Sequence, residues 1–143
     1  LRRTKSTCSY ILSRGHTAVA PNFLNFLIEI DYGPDENKPE SDVIERIGKK
    51  AIELWDSSGT PPQGWLVEPD QIISSWKLFL KSISDTNYDI LVVTSNGIAR
   101  FLFEAVDNIE IDIQRKLNTA SFRLVKVSHG ISSLKSWNKN CIG

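Results

Sequence analysis

The stretch DILVVTSNGIAR, residues 89–100, decides how the fold of this chain is interpreted. Its first part, Asp89–Thr94, is a continuous apolar run, which is typical of a strand that is covered on both faces. The turn Ser95-Asn96-Gly97 leads from that strand directly into a helix predicted over Ile98–Val106. Because strand-like and helix-like segments alternate along the chain, we predict an α/β sandwich.

Apolar spacing predicts the remaining elements. Helices are predicted at Leu1–Ser13, at Ser41–Trp55 with Ser41 or Asp42 as its cap, and in a segment that Asp70 caps. The buried face of this last helix is predicted to hold Ile72, Ile73, Trp76, Phe79, Leu80 and Ile83. Extended segments are predicted at Leu27–Ile30, at Ala120–Ser128 and at Ile131–Trp137, the last two as a pair.

Composition limits the function as well as the fold. The chain has 143 residues, 41% of them hydrophobic and 24% charged, which suits a single domain over residues 1–143. Its 17 basic residues cancel its 17 acidic residues, so no overall field would attract nucleic acid or an anionic membrane. The apolar runs are also too short to cross a bilayer. We therefore expect neither a nucleic-acid partner nor a membrane partner.

Cysteine and methionine usage gives two further expectations. Cys8 and Cys141 are the only cysteines, and neither a CxxC motif nor a Cys/His cluster is present. We therefore expect no disulfide framework and no metal site, and a reducing cytoplasmic location. The sequence has no methionine. We expect that the natural chain begins upstream of Leu1, or that methionines are missing from the printed sequence.

The turn Ser95-Asn96-Gly97 is the first candidate site. Ligands of open α/β sheets bind beyond the carboxyl ends of the strands, and the free N–H groups at the start of a helix favour an anion. Ser95 could equally act only as the cap of the helix. The turn alone therefore leaves both interpretations open.

Several motifs occur in one order along the chain. They are LRRTKSTC at residues 1–8, EIDYGPDE at 29–36, LVVTSNGIAR at 91–100, KLNTA at 116–120 and SWN at 136–138. Together they resemble the histidine phosphatase superfamily, specifically its phosphoglycerate mutase-like branch. That family has an LxRTxxTA helix, an ExxxGxxE segment, a VVSHGGVIR turn and a closing hairpin. The resemblance implies a three-layer sandwich with a mostly parallel sheet and helices on both faces.

The resemblance also implies a phosphate pocket. Arg3 would clamp phosphoryl oxygens with its planar guanidinium, and Glu29 would protonate the leaving alcohol oxygen. Tyr32 would line the substrate pocket, and the backbone N–H groups of Asn96 and Gly97 would complete the oxyanion cradle. Taken without the pattern, Glu29 could be a surface carboxylate at the end of a strand, and Arg2 next to Arg3 is expected to be only solvated.

The chain departs from the family pattern at both histidines. The family nucleophile is a histidine in an Arg-His-Gly motif upstream of the Arg3 helix, so we expect a strand that carries this motif to precede Leu1. The order of residues in Arg14-Gly15-His16-Thr17 does not match, and His16 is predicted to be a loop histidine. Ser95 stands at the position of the second histidine of the family. His129 follows too late in the chain to replace it and is predicted to lie in a turn.

These residues favour a phosphatase that acts on small phosphate monoesters through a phosphohistidine intermediate, with no cofactor. Two alternatives stay open, a phosphoglycerate mutase-type phosphomutase and a non-catalytic phosphate-binding module. The partner is in each case a small phosphorylated molecule. The loops Asp35–Glu40 and Ser57–Glu68, the second with Trp65, are where specificity is expected. The sequence predicts no particular oligomeric state.

Overall fold

The structure is a computed structural model that describes residues 2–15, 19–111 and 115–140. Its α-helices, in chain order, are α1 (Arg2–Arg14), α2 (Glu40–Ile47), α3 (Lys49–Ser58), α4 (Pro69–Ser82), α5 (Asn96–Ala99) and α6 (Leu102–Ala105). Its strands are β1 (Asn108–Ile109), β2 (Ser121–Ser128) and β3 (Ile131–Asn140). Short 3-10 turns lie at Asn25–Leu27 and Gly33–Asp35.

Helix α1 confirms the helix predicted at Leu1–Ser13, and Leu1 lies outside the described residues. The helix ends at Arg14, and the Gly15 N–H donates to the Ile11 carbonyl oxygen at 3.0 Å. None of its residues is buried. The sequence pattern thus predicted the helix, although α1 buries no face in this structure.

The single helix predicted at Ser41–Trp55 is wrong, because two helices occupy this segment. They meet at Gly48, whose φ of 81° and ψ of 150° interrupt the helical hydrogen bonding. Such a conformation is open to glycine and strained for other residues. The predicted caps are also wrong, since Pro39 is the N-cap of α2.

Helix α4 confirms the helix predicted in the segment of Asp70. It buries Trp76 and Leu80, both on the predicted face. Its N-cap is Glu68 rather than Asp70, because Pro69 occupies the first turn, where a missing N–H costs no hydrogen bond. The Trp76 Nε1–H donates to the Ile98 carbonyl oxygen at 3.1 Å and joins α4 to α5.

The strand predicted at Asp89–Thr94 is wrong for this structure, in which the segment has no regular secondary structure. Ile90 and Leu91 are 44% and 67% exposed, and the segment has no ladder partner among the described residues. The Thr94 hydroxyl donates instead to the Leu27 carbonyl oxygen at 3.0 Å. An apolar run indicates which side chains a strand would bury. A β-strand forms, however, only where a neighbouring strand pairs with its backbone.

The neighbouring predictions are also partly wrong. Leu27–Ile30 was expected to be extended, whereas a 3-10 turn includes Leu27, and the backbone is extended at Ile28. The helix predicted at Ile98–Val106 is divided into α5 and α6. The Phe101 N–H donates to the Ile98 carbonyl oxygen at 3.2 Å, an i to i−3 bond that tightens the backbone between the two helices.

The closing hairpin confirms the predicted pair of strands. Strands β2 and β3 are antiparallel, with Ser128 opposite Ile131, and β1 lies parallel to β3 on its other side. His129 and Gly130 form the two-residue turn with φ of 53° and 75°, the signs that a type I′ turn requires. His129 is therefore a turn histidine, as predicted.

The core lies between the hairpin and the helices. Its most buried side chains are those of Phe101 and Leu134, which are 1% and 0% exposed, and Trp76 and Trp137 pack in the same cluster. The fold is α/β, as predicted, with helices and a small mixed sheet. The described part of the sheet has one parallel and one antiparallel pair, and the three-layer sandwich with a mostly parallel sheet stays a prediction. No helix in the described ranges is long and apolar enough to cross a membrane.

Candidate active site

Glu29 and Ser95 form the centre of the candidate site. The Ser95 hydroxyl donates to Glu29 Oε1 at 2.6 Å, across 66 positions of sequence. The Ile30 N–H approaches the same oxygen at 3.2 Å. Glu29 is half-buried and hydrogen-bonded, so it is not the solvated strand-end carboxylate of the alternative interpretation. Ser95 is the N-cap residue of α5, as the cap interpretation predicted, but its hydroxyl makes no capping bond and donates to Glu29 instead.

Gly97 makes this contact sterically possible. A Cβ atom at Gly97 would overlap Glu29 Oε1 and would lie 2.9 Å from Ile30 Cγ1. Gly97 is itself buried at the first turn of α5. The N–H groups of Asn96 and Gly97 have no acceptor among the residues that the structure describes. The lack of a side chain thus brings the backbone of this turn against the carboxylate.

Tyr32 is the third residue of the group. Burial and then the charge of Glu29 raise the pKa of its phenol to about 12. Its ring makes a T-shaped contact with Trp65, with the centroids 4.7 Å apart and the planes at 79°. Trp65 belongs to one of the two loops in which specificity was expected. The predicted pocket residue and the predicted specificity loop are therefore in direct contact.

A buried carboxylate fixes this loop against the Tyr32 turn. Asp35 is 6% exposed and accepts hydrogen bonds from Arg46 Nε at 2.6 Å and from Trp65 Nε1 at 2.7 Å. The hydrogen bond from Arg46, and then that from Trp65, holds the pKa of Asp35 below its usual value, against the opposing effect of burial. Asp35 thus holds the ring that packs on Tyr32.

Arg100 is a buried cation of the site to which the sequence pattern assigned no role. Its Nη1 donates to the Trp55 carbonyl oxygen at 2.7 Å, and its Nη2 lies 3.8 Å from Asp56 Oδ1. Burial lowers the pKa of Arg100 to about 10, partly offset by the negative charges of Asp56 and Glu29. Arg100 therefore lies within electrostatic reach of the Glu29 group. Its place in the motif at residues 91–100 was the available signal.

Arg123 on β2 is a second cation that the sequence pattern missed. Its Nη2 donates to Asn96 Oδ1 at 3.4 Å, a long hydrogen bond. Its guanidinium lies over the Trp137 ring, 5.4 Å from the centroid. A basic residue on the inward-facing side of an alternating strand is the signal that could have found it.

The chain was also compared with known proteins. The family model described as histidine phosphatase superfamily (branch 1) matches residues 1–140. The chain belongs to the histidine phosphatase superfamily. Searches of curated proteins and of solved structures give no match. Membership confirms the resemblance at the level of the superfamily and indicates a phosphatase- or phosphomutase-type function with phosphorylated small molecules as substrates.

Arg3, the residue predicted to bind phosphate, makes no described contact with the other candidate-site residues. Arg3 is exposed on α1, and no hydrogen bond or ion pair within the described ranges links its side chain to Glu29, Tyr32 or Ser95. His16, predicted to be a loop histidine, lies outside the described residues. The structure thus brings five of the six predicted residues to one place, Glu29, Tyr32, Ser95, Asn96 and Gly97.

A cavity of about 340 Å³ opens beside Glu29. Glu29, Asp31 and Glu68 line it together with apolar side chains such as Phe26 and Ile98, and its lining includes no Lys or Arg. An anionic substrate needs cations, so this cavity alone does not form a phosphate pocket. Where the chain is described, no group of three or more His, Cys, Asp or Glu residues is arranged to hold a metal ion.

Proposed function

We propose that this superfamily member is a phosphatase that hydrolyses small phosphate monoesters through a phosphohistidine intermediate. The observation that carries the proposal is the bond of 2.6 Å between the Ser95 hydroxyl and Glu29 Oε1, beside Tyr32. This bond fixes a half-buried carboxyl group at a turn whose Asn96 and Gly97 N–H groups have no acceptor among the described residues. The histidine nucleophile would belong to a segment that precedes Leu1.

Each proposed step has a role for Glu29. The histidine nitrogen attacks phosphorus, the bond from phosphorus to the alcohol oxygen breaks, and the Glu29 carboxyl group gives its proton to that oxygen. Water then attacks the phosphohistidine, and Glu29 takes the proton of that water as phosphate leaves. Because Ser95 and the Ile30 N–H both bond to Oε1, Oε2 is the oxygen that would carry the transferred proton.

Arg3, Asn96 and Gly97 would hold the phosphoryl oxygens. Arg3 would bind two of them with its planar fork, and the N–H groups of the turn would donate to the charge that develops during transfer. Because Arg3 is exposed on a helix that buries no residue, Arg3→Ala is expected to abolish turnover and leave the fold intact. Wild-type rates in Arg3→Ala would contradict this role.

We also propose that the finer architecture is the phosphoglycerate mutase-like three-layer sandwich. Asp89–Thr94 would pair with the strand that carries the nucleophile, and this pairing would cover Ile90 and Leu91, which are 44% and 67% exposed. The intact mass of the protein purified from its source tests whether this upstream segment is present. A mass several kilodaltons above 16.1 kDa is expected, and a mass of 16.1 kDa would contradict the proposal.

The direct test of the proposed function is Glu29→Gln in the full-length protein. This substitution keeps the shape of the side chain and removes its acid, so hydrolysis of an aryl phosphate is expected to fall about 100- to 10,000-fold. Glu45→Gln is the matched control, since Glu45 is exposed on α2. Full activity in Glu29→Gln would overturn the assignment of the proton donor.

A second candidate is a non-catalytic phosphate-binding module. The observation that favours it is Ser95 itself, because a hydroxyl group that donates to Glu29 carries no positive charge for the phosphoryl group. Binding of phosphate esters without turnover in the full-length protein would support this module. Transfer of the phosphoryl group to a second alcohol rather than to water would indicate a phosphomutase.

A further inference from the structure

The cavity of about 340 Å³ beside Glu29 has two walls that come from distant parts of the chain. One wall consists of residues between positions 25 and 31 and includes Glu29 itself. The other consists of residues 66–68 and the start of α4. Small-molecule sites have volumes of about 300–1,000 Å³. The cavity is therefore large enough for a small organic group next to the proposed proton donor.

Backbone and ring contacts hold these two walls in place. The Leu66 N–H donates to the Asp31 carbonyl oxygen at 2.9 Å, so the backbone of one wall is fixed to that of the other. In the first wall, the Phe26 ring makes a T-shaped contact with the buried Trp76 ring, with the centroids 5.2 Å apart. A cavity with walls that are already fixed binds a ligand without the entropic cost of ordering them.

Large apolar side chains of the lining are left exposed. Leu66 and Ile28 are 70% and 58% exposed, although both border the cavity. The remaining apolar lining includes Phe26, Ile72 and Ile98. An apolar group that covers these side chains gains affinity by about fourfold for each CH₂ group that leaves water. The lining therefore favours a ligand with an apolar carbon chain.

The charged residues of the lining limit the ligand further. Glu29, Asp31 and Glu68 line the cavity, and no Lys or Arg of the described residues does. An anionic group in the cavity would face these carboxylates without a cation to offset them, and like charges at short distance repel. The cavity therefore disfavours a ligand that carries a negative charge at the end of its chain.

We propose that this cavity binds the alcohol part of the substrate, so that the preferred substrates are phosphate monoesters of apolar, uncharged alcohols. The inference rests on the proposed function, in which Glu29 protonates the leaving alcohol oxygen. Because Glu29 also lines the cavity, the carbon chain of that alcohol would extend from the proton donor into the cavity. Leu66 would determine specificity and take no part in the proton transfer.

The test compares three esters in the full-length protein, namely methyl phosphate, 4-methylpentyl phosphate and 4-phosphooxybutanoate. The last two differ only at the end of the chain, where a carboxylate replaces an isopropyl group. We expect the highest kcat/KM for 4-methylpentyl phosphate. Leu66→Asn should lower its advantage over methyl phosphate about 4- to 15-fold, mainly through KM, because contacts with one or two carbon groups are lost. Leu78→Asn is the matched control, since Leu78 is also 70% exposed but does not line the cavity.

Glu68→Gln tests the charge of the cavity. Removal of one carboxylate should raise kcat/KM for 4-phosphooxybutanoate about two- to fivefold relative to 4-methylpentyl phosphate at low ionic strength. Glu45→Gln, at an exposed position of α2, should leave this ratio unchanged. A ratio that is also unchanged in Glu68→Gln would overturn the proposed selection against anions.

Two results would overturn the inference as a whole. One is a kcat/KM for 4-phosphooxybutanoate that equals or exceeds that for 4-methylpentyl phosphate, and the other is an unchanged advantage of 4-methylpentyl phosphate in Leu66→Asn. Calorimetric binding of the same esters separates the inference from the proposed function. Leu66-dependent binding of 4-methylpentyl phosphate without turnover would overturn only the proposed phosphatase. Neither binding nor turnover of any ester would overturn both. Urea unfolding of every variant shows whether it is folded.

Discussion

Gly97 lies where any side chain would collide with the Glu29 carboxylate. The collision partner is the oxygen that accepts the Ser95 hydroxyl, so the position of the proposed proton donor depends on a residue without a side chain. The Ile30 side chain is close as well, with its Cγ1 atom 2.9 Å from the position that a Cβ atom would take. At the residue scale, the site is therefore defined by sterics as much as by charge.

Gly97→Ala is expected to lower both activity and stability. The added methyl group must displace Glu29 or the turn, and overpacking of this kind costs about 1–3 kcal/mol. Urea unfolding and the hydrolysis of an aryl phosphate measure the two effects. Gly15→Ala is the control, because a Cβ atom there would make only ordinary contacts of 3.6 and 3.7 Å. Equal effects of the two substitutions would contradict this steric role.

Tyr32 gives a prediction for alkaline pH. The phenol ionises near its ordinary pKa of 10.0 in the unfolded chain, but near 12 in the folded chain. Its contribution to stability is therefore fully present below about pH 10 and is lost as the pH rises toward about 12. In urea unfolding, Tyr32→Phe should therefore lose less unfolding free energy than wild type as the pH rises from about 10 toward about 12. Tyr88→Phe, at a position that is 82% exposed, should leave it unchanged.

The sequence predicted some of these residues because their signals are local. Glu29, Ser95 and Gly97 lie in short motifs whose letters suffice to suggest a site. The bond between Glu29 and Ser95 spans 66 positions, and no local pattern predicts it. The partners of Arg100 and Arg123 were missed for the same reason. They are distant in sequence, so a local pattern does not show which groups surround a buried cation.

At the scale of elements, the Asp35 carboxylate joins the Tyr32 turn, helix α2 and the Trp65 loop. It accepts hydrogen bonds from Arg46 and from the Trp65 indole. Trp65 in turn packs on Tyr32 and on Trp55, with centroids 4.7 and 5.2 Å apart. One carboxylate thus positions an aromatic group that borders the candidate site.

Asp35→Asn is expected to destabilise the protein and to weaken its dependence on acidic pH. Because the pKa of Asp35 is lowered in the folded state, its contribution is present above the ordinary carboxyl pKa of 3.8 and is lost as the pH falls through the lowered value. Urea unfolding over an acidic pH series measures this loss. Asp85→Asn, at an exposed position, is the control. Identical acid profiles of wild type and Asp35→Asn would contradict the prediction.

Elements were predicted well where the pattern is complete within the segment. The hairpin and α4 have such patterns, with a two-residue turn at His129-Gly130 and a buried stripe that includes Trp76. Asp89–Thr94 shows the opposite case, because a strand requires a partner that its own sequence does not specify. The break at Gly48 depends on one φ value of 81°, which an apolar stripe does not reveal.

At the scale of the whole molecule, burial is unevenly distributed. Helix α4 buries Trp76 and Leu80 in the central cluster, whereas α1 buries none of its residues. The hairpin contributes Leu134 and Trp137 to the same cluster. The candidate site therefore borders the part of the described chain that is best packed, while Arg3 lies on the part that is least packed.

Hydrogen exchange should reveal this difference. Local opening costs little where few apolar contacts are lost, so the amides of α1 are expected to exchange much faster than those of α4. Exchange followed by mass spectrometry of peptides from the two helices measures the ratio. Equal protection of α1 and α4 would show that α1 is packed more firmly than its exposure indicates.

The close approach at Gly97 also restricts which substitutions the sequence can tolerate. Since a methyl group there overlaps the Glu29 carboxylate, a larger residue at 97 requires either a shorter residue at 29 or a Glu29 side chain that has turned away from Ser95. In a library randomised at both positions and selected for folding, alanine at 97 should be enriched together with aspartate or a smaller residue at 29. If activity is selected instead, glycine at 97 and glutamate at 29 should survive only as a pair. Substitutions at positions 29 and 97 would then be accepted only together.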